Sequence, residues 1–380
     1  MLIKTRKKAP IFPTLTIKTK IDKIGEEFFG PSSSIFVGRF GYPNVFVGPL
    51  ASIEYSKEQD DPSKWFGKSY QEIVDFRSLL LRSKHKQNIK DKTRFIDETR
   101  ELSLAKKPAD IELTFEKKPI YRITFSSIVQ PMGPSASLKE MRLAENPKIS
   151  SNVEKIVGDE LKASDASYLL YKQGMDVYKL TNILSSGAFG LDRKLVPTRW
   201  SVTAVDDIIA KKLMSNIRNY KSINEFLLFS SDYMDNHFTI LLMPGSWQFE
   251  NFEAWAPGSN WCLSSAVEVS EEYEPYSGRK DYAEKQVGGY YASRIAVCEF
   301  LEALRRQATV IVFREIGENY SIPLGVWQVR ENVRNAFKKE AKKFQSKEQA
   351  LDYVKTRLRL PLKEYIIRSR ILQQKKLIDF

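Results

Sequence analysis

Runs of alternating or continuous apolar residues, separated by short polar turns, predict antiparallel β-hairpins along much of the chain. β-branched and aromatic residues dominate these runs, and Gly, Pro, Asn, Asp or Lys occupies the turns. Four pairs of segments fit the pattern: SIFVGRF with VFVGPL, IELTFEK with YRITFSS, FLLFSS with HFTILLM, and TVIVFRE with SIPLGVW. Because these connections are too short for helical crossovers, the pattern predicts mainly antiparallel pairing.

Apolar residues at intervals of three and four predict helices between the hairpins. Asp206 is predicted to cap one helix, and Ser346-x-x-Gln349 predicts a capping box that opens another. The polar stretch from Lys84 to Lys107 is predicted to be a charged surface helix, with an exposed loop as the alternative. The apolar stripes are Phe66, Tyr70, Ile73, Phe76 and Leu80; Ile209, Leu213 and Ile217; Tyr291, Ile295, Cys298, Leu301 and Leu304; and Val333, Phe337, Ala341 and Phe344.

Hairpins and helices alternate without regular βαβ spacing, which favours an α+β fold over a doubly wound one. With 380 residues, the chain is long enough for two domains. A segment rich in Glu, Ser, Pro and Gly, residues 264–279, is the predicted linker. The expected parts are an α+β domain over residues 1–263, a domain with basic helices over 280–372, and a tail over 373–380.

The net charge of +13 is concentrated at the two ends of the chain. Residues 330–380 contain 15 Lys and Arg against 6 Asp and Glu, and residues 1–23 contain 7 against 1. Basic ends of this kind can neutralise DNA phosphates, and they can equally form a solvated helix face that keeps the protein in solution. Both interpretations remain open, since no base-recognising module is evident in the sequence.

Cysteine content and hydropathy indicate where the protein acts. Cys262 and Cys298 are far apart and form no C-x-x-C pair, so the sequence encodes no disulfide framework and no structural zinc site. It contains no signal-peptide apolar region and no apolar stretch of about 18 residues. We therefore expect a cytoplasmic, nucleoid-associated protein without a membrane partner.

The last seven residues, QKKLIDF, form a short pattern with two apolar anchors. On one helical turn Leu377 and Phe380 lie three residues apart on the same face, and Gln374 supplies an amide that both donates and accepts hydrogen bonds. The pattern resembles the PCNA-interacting peptide, although Asp379 stands where that peptide usually has its first aromatic residue. The partner expected from this resemblance is the sliding clamp, and a frayed, solvated end is the alternative.

Four longer blocks resemble the archaeal Nre family of DNA repair proteins: FGPSSSIFVGRFGYPNVFVGPL, TRWSVTAVDD, NHFTILLMPGSWQFENFEAW and VGGYYASRIAVCEFLEALRR. The resemblance covers most of the chain and implies a role in the repair of damaged DNA. It also implies a terminal clamp-binding peptide, which maps here to Gln374, Leu377 and Phe380. Residues 1–30 contain no Cys, whereas many relatives begin with a Cys-rich, zinc-finger-like segment.

The segment from Phe29 to Asn44 is the strongest internal candidate for a phosphate or nucleotide site. Its Gly and Ser residues, including Ser33, could expose backbone N–H groups, Arg39 would supply charge and Asn44 a polar side chain, with Arg199 as a further cation. Two tight turns flanking a strand explain the same residues. The sequence has no G-x-x-x-x-G-K-[ST] motif.

Carboxylates and one histidine suggest the alternative function, a metal-dependent nuclease or nucleotide-processing enzyme. Asp206 and Asp207 follow a predicted strand and could ligate Mg²⁺, although helix capping explains them as well. His237, with Glu250 and Glu253 in the WQFENFEAW block that follows, could form a general-base or metal site, and a hydrogen-bonded core histidine is the simpler explanation. No cofactor is certain, and the only one considered is Mg²⁺.

Overall fold

The computed structural model describes residues 24–257 and 268–374 and confirms the α+β class: mixed sheets are packed against helices. The described chain folds into two compact units, residues 24–209 and residues 210–374. It passes from the first unit to the second within one long helix, α6 (Thr198–Ile217). The domain boundary expected near residue 264 stays a prediction. None of the described helices is long and apolar enough to span a membrane.

The first unit contains a closed β-barrel with the strand order β1-β2-β3-β5-β4. All neighbouring strands are antiparallel except β3 and β5, which are parallel, and the pairing of β1 with β4 closes the barrel. Its strands are β1 (Glu27–Val37), β2 (Asn44–Ser52), β3 (Leu80–Asn88), β4 (Ala109–Phe115) and β5 (Ser135–Leu143).

Alternate residues of each strand fill the interior of the barrel, as the two-residue period of a strand requires. The helix between β3 and β4, α2 (Arg94–Leu104), packs Leu102 and Phe95 against this core. Burial of these apolar side chains is the main source of stability of the unit. The buried core residues are Ala51, Leu81, Leu102, Ala109, Ile111, Leu113, Phe115, Ala136, Leu138 and Met141.

The remaining helices of the first unit are short, and two of the four have a side-chain cap at the N-terminus. Ser69 and Glu72 form a capping box at the first of them, and Asp176 caps another by accepting from the Lys179 amide. That helix ends at Gly187, whose φ of 65° and close approach to the Lys194 carbonyl leave no space for a side chain. The four short helices of the first unit are α1 (Tyr70–Ser78), α3 (Ser151–Gly158), α4 (Ala163–Lys172) and α5 (Val177–Ser186).

The second unit is built on a six-stranded sheet with the order β11-β6-β7-β10-β8-β9. The pair β8 and β10 is parallel, and the other pairs are antiparallel. Its strands are β6 (Phe226–Tyr233), β7 (Asn236–Met243), β8 (Gln248–Trp255), β9 (Glu268–Glu274), β10 (Thr309–Ile316) and β11 (Lys342–Phe344).

Helices cover both faces of this sheet. On one face lie α7 (Gly288–Leu304) and α8 (Trp327–Ala336), where Phe229, Phe300 and Phe337 contact one another. The opposite face forms an apolar core with the three C-terminal helices. These are α9 (Lys347–Arg357), α10 (Lys363–Ile366) and α11 (Arg370–Gln373).

Two of the four predicted hairpins are confirmed, and two are wrong. SIFVGRF pairs with VFVGPL in β1 and β2, and FLLFSS pairs with HFTILLM in β6 and β7. IELTFEK forms β4, whose two edges are occupied by β1 and β5, while residues 121–127 make only an isolated bridge. TVIVFRE likewise forms β10 between β7 and β8, so that no edge is left for residues 321–327.

Three local predictions of helix and strand are also corrected. Asp206 is not a cap, because α6 begins eight residues earlier, directly after Pro197. The stretch from Lys84 to Lys107, predicted as a surface helix, contains most of β3 and the whole of α2. Phe344, expected on a helix, lies in the edge strand β11. Ser346 does cap α9 as predicted, by accepting from the Gln349 amide.

Candidate functional site

The chain reaches its C-terminal peptide through a segment that is packed on its own sheet. Tyr365 is buried between Phe252 and Phe313, with ring centroids 5.3 and 5.1 Å away, respectively. Its hydroxyl donates to Glu315 Oε1 at 2.8 Å. Glu315 also accepts from the backbone amides of Arg359 and Leu360 at 2.7 and 2.9 Å. This buried carboxylate therefore fixes the chain at the start of α10.

A second buried carboxylate, Glu250 on β8, fixes the chain at α11. Ser369 Oγ donates to Glu250 Oε2, and the Arg370 amide donates to Glu250 Oε1 at 2.6 Å. Ser369 Oγ also accepts from the Leu372 amide at 2.8 Å, so it caps α11 while it binds the sheet. Ile371 is buried in the same core, whereas Gln374 is exposed. Leu377 and Phe380, the predicted apolar anchors, lie outside the described residues.

The Glu250 contact makes stability depend on pH. Burial raises the pKa of this carboxyl to about 7, although the hydrogen bonds from Ser369 and Arg370 favour its ionised form. Between about pH 5 and pH 7 the folded protein retains a proton that the unfolded chain has lost, so the free energy of unfolding falls as pH rises. The slope is at most about 1.4 kcal/mol per pH unit.

We expect Glu250→Gln to remove this slope, because glutamine has no proton to lose and its carbonyl oxygen can still accept from Ser369. Urea unfolding at about pH 5, 6, 7 and 8 measures the change. Glu364→Gln, which removes a partly exposed carboxylate from α10, is the control and should keep the slope of the wild type. An unchanged slope in Glu250→Gln would contradict the assignment.

Part of the basic charge near the C-terminus is neutralised within the second unit. Such pairs favour the solvated-face explanation for the residues involved, because their charges already have partners. Lys347 and Lys363 take part in no ion pair among the described residues. The pairs are Arg334 with Glu299 and Glu331, Lys343 with Glu225, Lys355 with Asp352, Arg357 with Asp232, Arg359 with Asp235, Arg368 with Glu364, and Arg370 with Glu271.

The predicted phosphate site is only partly assembled. Arg39 and Asn44 lie on the same exposed turn between β1 and β2. Ser33 lies at a bulge of β1, about 20 Å from Arg39 along the strand. The hydroxyls of its neighbours are used inside the unit, since Ser32 donates to Leu50 O and Ser34 donates to Asp60.

Arg199 is brought close to this turn by the first residues of α6. Thr198 Oγ1 accepts from the Val37 amide at 2.9 Å, and the Trp200 ring lies 5.1 Å from that of Tyr42. Arg199 itself lies 3.5 Å from Ser126 Oγ. The structure therefore brings the start of α6 near the turn between Arg39 and Asn44, while the Arg199 side chain contacts Ser126 and Ser33 lies apart.

The predicted carboxylate pair is separated by helix geometry. Asp206 and Asp207 both lie in the interior of α6, with Asp206 fully buried and Asp207 partly exposed. Adjacent positions of a helix point in directions about 100° apart, so the two side chains do not face a common point. Within the described part of the chain, no group of three or more His, Cys, Asp or Glu side chains is arranged to hold a metal ion.

His237 and Glu253 belong to opposite faces of the second sheet. His237 lies between Asp232 Oδ1, 2.6 Å from its Nδ1, and Asp235 Oδ1, 3.0 Å from its Nε2. The Asp232 contact raises the pKa of the imidazole above its ordinary value. Glu253 pairs instead with Arg314 at 2.7 Å. Arg314 is in register with Glu253 and with Phe238, and Phe238 is adjacent to His237 on β7, so Glu253 lies on the face opposite His237. The two residues therefore do not form one site.

The contacts by which Glu250 and Glu315 fix the C-terminal helices were not predicted from the sequence. Glu250 stands in the same WQFENFEAW block as Glu253. The two are three residues apart on β8, so they lie on opposite faces of the strand, and this is the only local sign that they have different partners. Glu315 ends the apolar run of β10. Their partners are 44 to 120 residues away in the chain, so spacing along the sequence carries no sign of these contacts.

Comparison with known proteins places the chain in a family. Residues 3–262 match the model described as "Archaeal Nre, N-terminal", and residues 274–380 match "Archaeal Nre, C-terminal". The chain belongs to the archaeal Nre family. No solved structure matches it.

Three relatives in this family carry names that refer to DNA repair. "DNA repair protein NreB" of Archaeoglobus fulgidus is 34% identical over 375 residues, which cover 97% of this chain and 94% of the relative. "DNA repair protein NreA" of the same organism is 39% identical and covers 91% and 89%, respectively. "DNA repair protein NreA" of Haloferax volcanii is 36% identical and covers 82% and 78%. The similarity to these Nre proteins therefore extends over nearly the whole chain.

Proposed function

We propose that this protein is a DNA repair factor that is recruited to the replication sliding clamp, PCNA, through residues 374–380. Membership of the Nre family, whose relatives are named as DNA repair proteins, supports the repair role. The terminal spacing of Gln374, Leu377 and Phe380 supports the clamp as partner. A free chain end with two apolar anchors can fold into a pocket as it binds.

The observation that carries the proposal is the way in which the chain is held just before this peptide. Ser369, Arg370 and Ile371 are fixed to the sheet, and Gln374 follows within three residues and is exposed. A clamp bound through residues 374–380 would therefore lie close to the body of the protein. A short connection raises the effective concentration of the second contact, so modest contacts to clamp and DNA reinforce each other.

We expect replacement of both apolar anchors, Leu377→Ala with Phe380→Ala, to weaken clamp binding about 100-fold or more, because each removes a large side chain from an apolar pocket. Isothermal calorimetry with the purified clamp measures the effect. Lys376→Ala, between the anchors, is the matched control and should change the affinity by less than about fivefold. Thermal unfolding of all variants should match that of the wild type.

Deletion of residues 374–380 provides an independent variant. It should abolish clamp binding and leave the unfolding transition unchanged, since the C-terminal core among the described residues reaches only to Leu372 and Gln374 is exposed. Clamp binding that survives both the double substitution and the deletion would refute the proposed recruitment.

A further inference from the structure

We propose that the outer face of β1, β2 and β3, together with the β1–β2 turn, binds single-stranded DNA. The inference rests on the proposed repair role in one respect: that role is the reason for expecting DNA rather than RNA as the ligand. Clamp recruitment and strand binding use different residues, so either can fail without the other.

The barrel has the topology of a known nucleic-acid-binding architecture. Five strands in the order β1-β2-β3-β5-β4, a parallel β3–β5 pair and a helix between β3 and β4 are the arrangement of OB-fold barrels. Such barrels bind oligonucleotides or oligosaccharides on the face of strands 2 and 3 and with the loops between strands 1 and 2 and strands 4 and 5. The topology thus identifies one face, and its side chains decide between the two ligand classes.

A row of three cations lies on this face of β3. Leu81 points into the barrel core, so the alternate residues Arg82, Lys84 and Lys86 point outward. Among the described residues, no carboxylate pairs with any of the three. Burial lowers the pKa of Arg82 and that of Lys84, and the Nε of Arg82 is buried without a hydrogen-bond partner.

Arg82 and Lys84 are partly desolvated and repel each other, and no carboxylate among the described residues offsets this cost. An anionic ligand along β3 would offset it. The row from Arg82 to Lys86 extends about 13 Å, which suits several successive phosphates better than one isolated anion. A polyanion therefore fits this face better than a neutral oligosaccharide does.

Aromatic rings stand beside the cations. On β2, Phe46 points outward between the core residues Val45 and Val47, is 46% exposed, and lies opposite Lys86 in the strand register. On β1, Phe36 points outward and packs under the Arg82 guanidinium, 5.0 Å from the ring centroid. Exposed rings among unpaired cations offer stacking surfaces for bases next to positions for phosphates.

The β1–β2 turn extends the same arrangement. Phe40 is 78% exposed and Tyr42 is 47% exposed, and the Arg39 guanidinium lies 4.8 Å from the Phe40 ring centroid. The β4–β5 connection adds the exposed cations Lys117 and Lys118, which form no ion pair among the described residues. Base stacking requires unpaired bases, because the faces of a base in a duplex are already covered. Single strands are therefore the expected form of the ligand.

Fluorescence anisotropy with a labelled oligothymidine of about 15 nucleotides tests the proposal on the full chain without the clamp. We expect Phe40→Ala with Phe46→Ala to weaken binding about 10- to 100-fold at constant salt. Lys84→Gln with Lys86→Gln should reduce the slope of log affinity against log salt by about 1.4, since each phosphate contact on a single strand contributes about 0.7.

Matched controls on other surfaces are Tyr276→Ala, an exposed ring in the second unit, and Lys172→Gln, an exposed cation on α4. Both should bind the oligonucleotide as the wild type does. The protein lacking residues 374–380 should also bind it normally, which separates this result from any failure of clamp recruitment. Lys86→Gln alone, at an exposed position, should still lower the salt slope by about 0.7 if the double variant fails to fold.

Three results would overturn the inference. The first is wild-type affinity in both the aromatic and the lysine double variants. The second is duplex DNA bound as tightly as the single strand, with no effect of the aromatic substitutions. The third is an RNA strand of the same length bound about tenfold more tightly than DNA, which would assign the face to RNA.

Discussion

Glu274→Gln is expected to lower the free energy of unfolding by about 3–5 kcal/mol, because it removes a fully buried negative charge that the Arg294 guanidinium contacts directly. Glu274 Oε2 accepts from Arg294 at 2.8 Å and from the Tyr290 hydroxyl at 2.7 Å, and the side chains of Glu274 and Arg294 are 0% exposed. Thermal unfolding should show a midpoint about 10 °C lower for the second unit.

Two controls separate the loss of a buried charge from the loss of a contact. The double variant Glu274→Leu with Arg294→Met should recover much of the stability, since apolar side chains then replace both members of the buried pair. Asp352→Asn, in an ion pair whose side chains are 57% and 70% exposed, should cost less than about 1 kcal/mol. Equal effects of Glu274→Gln and Asp352→Asn would show that burial does not control the strength of the contact.

Tyr365→Ala is expected to cost about 3–5 kcal/mol and to release the C-terminal helices from the sheet. The substitution removes a buried ring from contact with Phe252 and Phe313 and leaves a cavity in the core that holds α9, α10 and α11. It also removes a hydrogen bond to Glu315. Urea unfolding measures the loss, and hydrogen exchange at residues 363–373 should rise more than at β1 or β2.

Tyr365→Phe is the matched variant. It keeps the ring and removes only the hydroxyl, while the amides of Arg359 and Leu360 still satisfy Glu315. Its cost should be about 1 kcal/mol, and its exchange pattern should resemble that of the wild type. If Tyr365→Ala proved no more disruptive than Tyr365→Phe, the core under the C-terminal helices would not depend on this ring.

The two proposed binding functions are complementary in strength. A peptide with two apolar anchors and a shallow strand-binding face would each give modest affinity. When both engage one assembly of clamp and DNA, the second contact forms at a high effective concentration. A repair factor built in this way would be retained where a loaded clamp and unpaired DNA occur together, and it would leave sites that offer only one of them.

Local chemistry in the sequence determined several features of the fold. The turns at Gly41 and Asp235 join runs that pair with each other, so the hairpins β1–β2 and β6–β7 follow from neighbouring residues alone. The apolar stripe from Tyr291 to Leu301 lies on α7 as its spacing indicates. The α+β class and the family followed from such patterns and from the long characteristic blocks.

Long-range pairing decided what the local pattern left open. The strand β4 had an apparent partner nearby, yet β1 and β5 occupy both of its edges, so the predicted hairpin could not form. Lys84 and Lys86 were predicted to lie in a charged helix, and only incorporation of β3 into the barrel aligned them with Arg82 on one face.

The candidate site shows the same division. Gln374, Leu377 and Phe380 were predicted from the sequence as the clamp-binding residues because a short peptide carries its whole pattern within seven residues, and this stays a prediction. The contact between Glu250 and Ser369 was not predicted, since the two residues are 119 apart in the chain. Sequence spacing records which residues share a strand face or a helix turn. The folding of distant segments together decides which strand edges are filled and which buried carboxylate meets which donor. The local sequence of a strand edge or of a hydrogen-bonding group is the same whichever partner it meets, so it does not identify that partner.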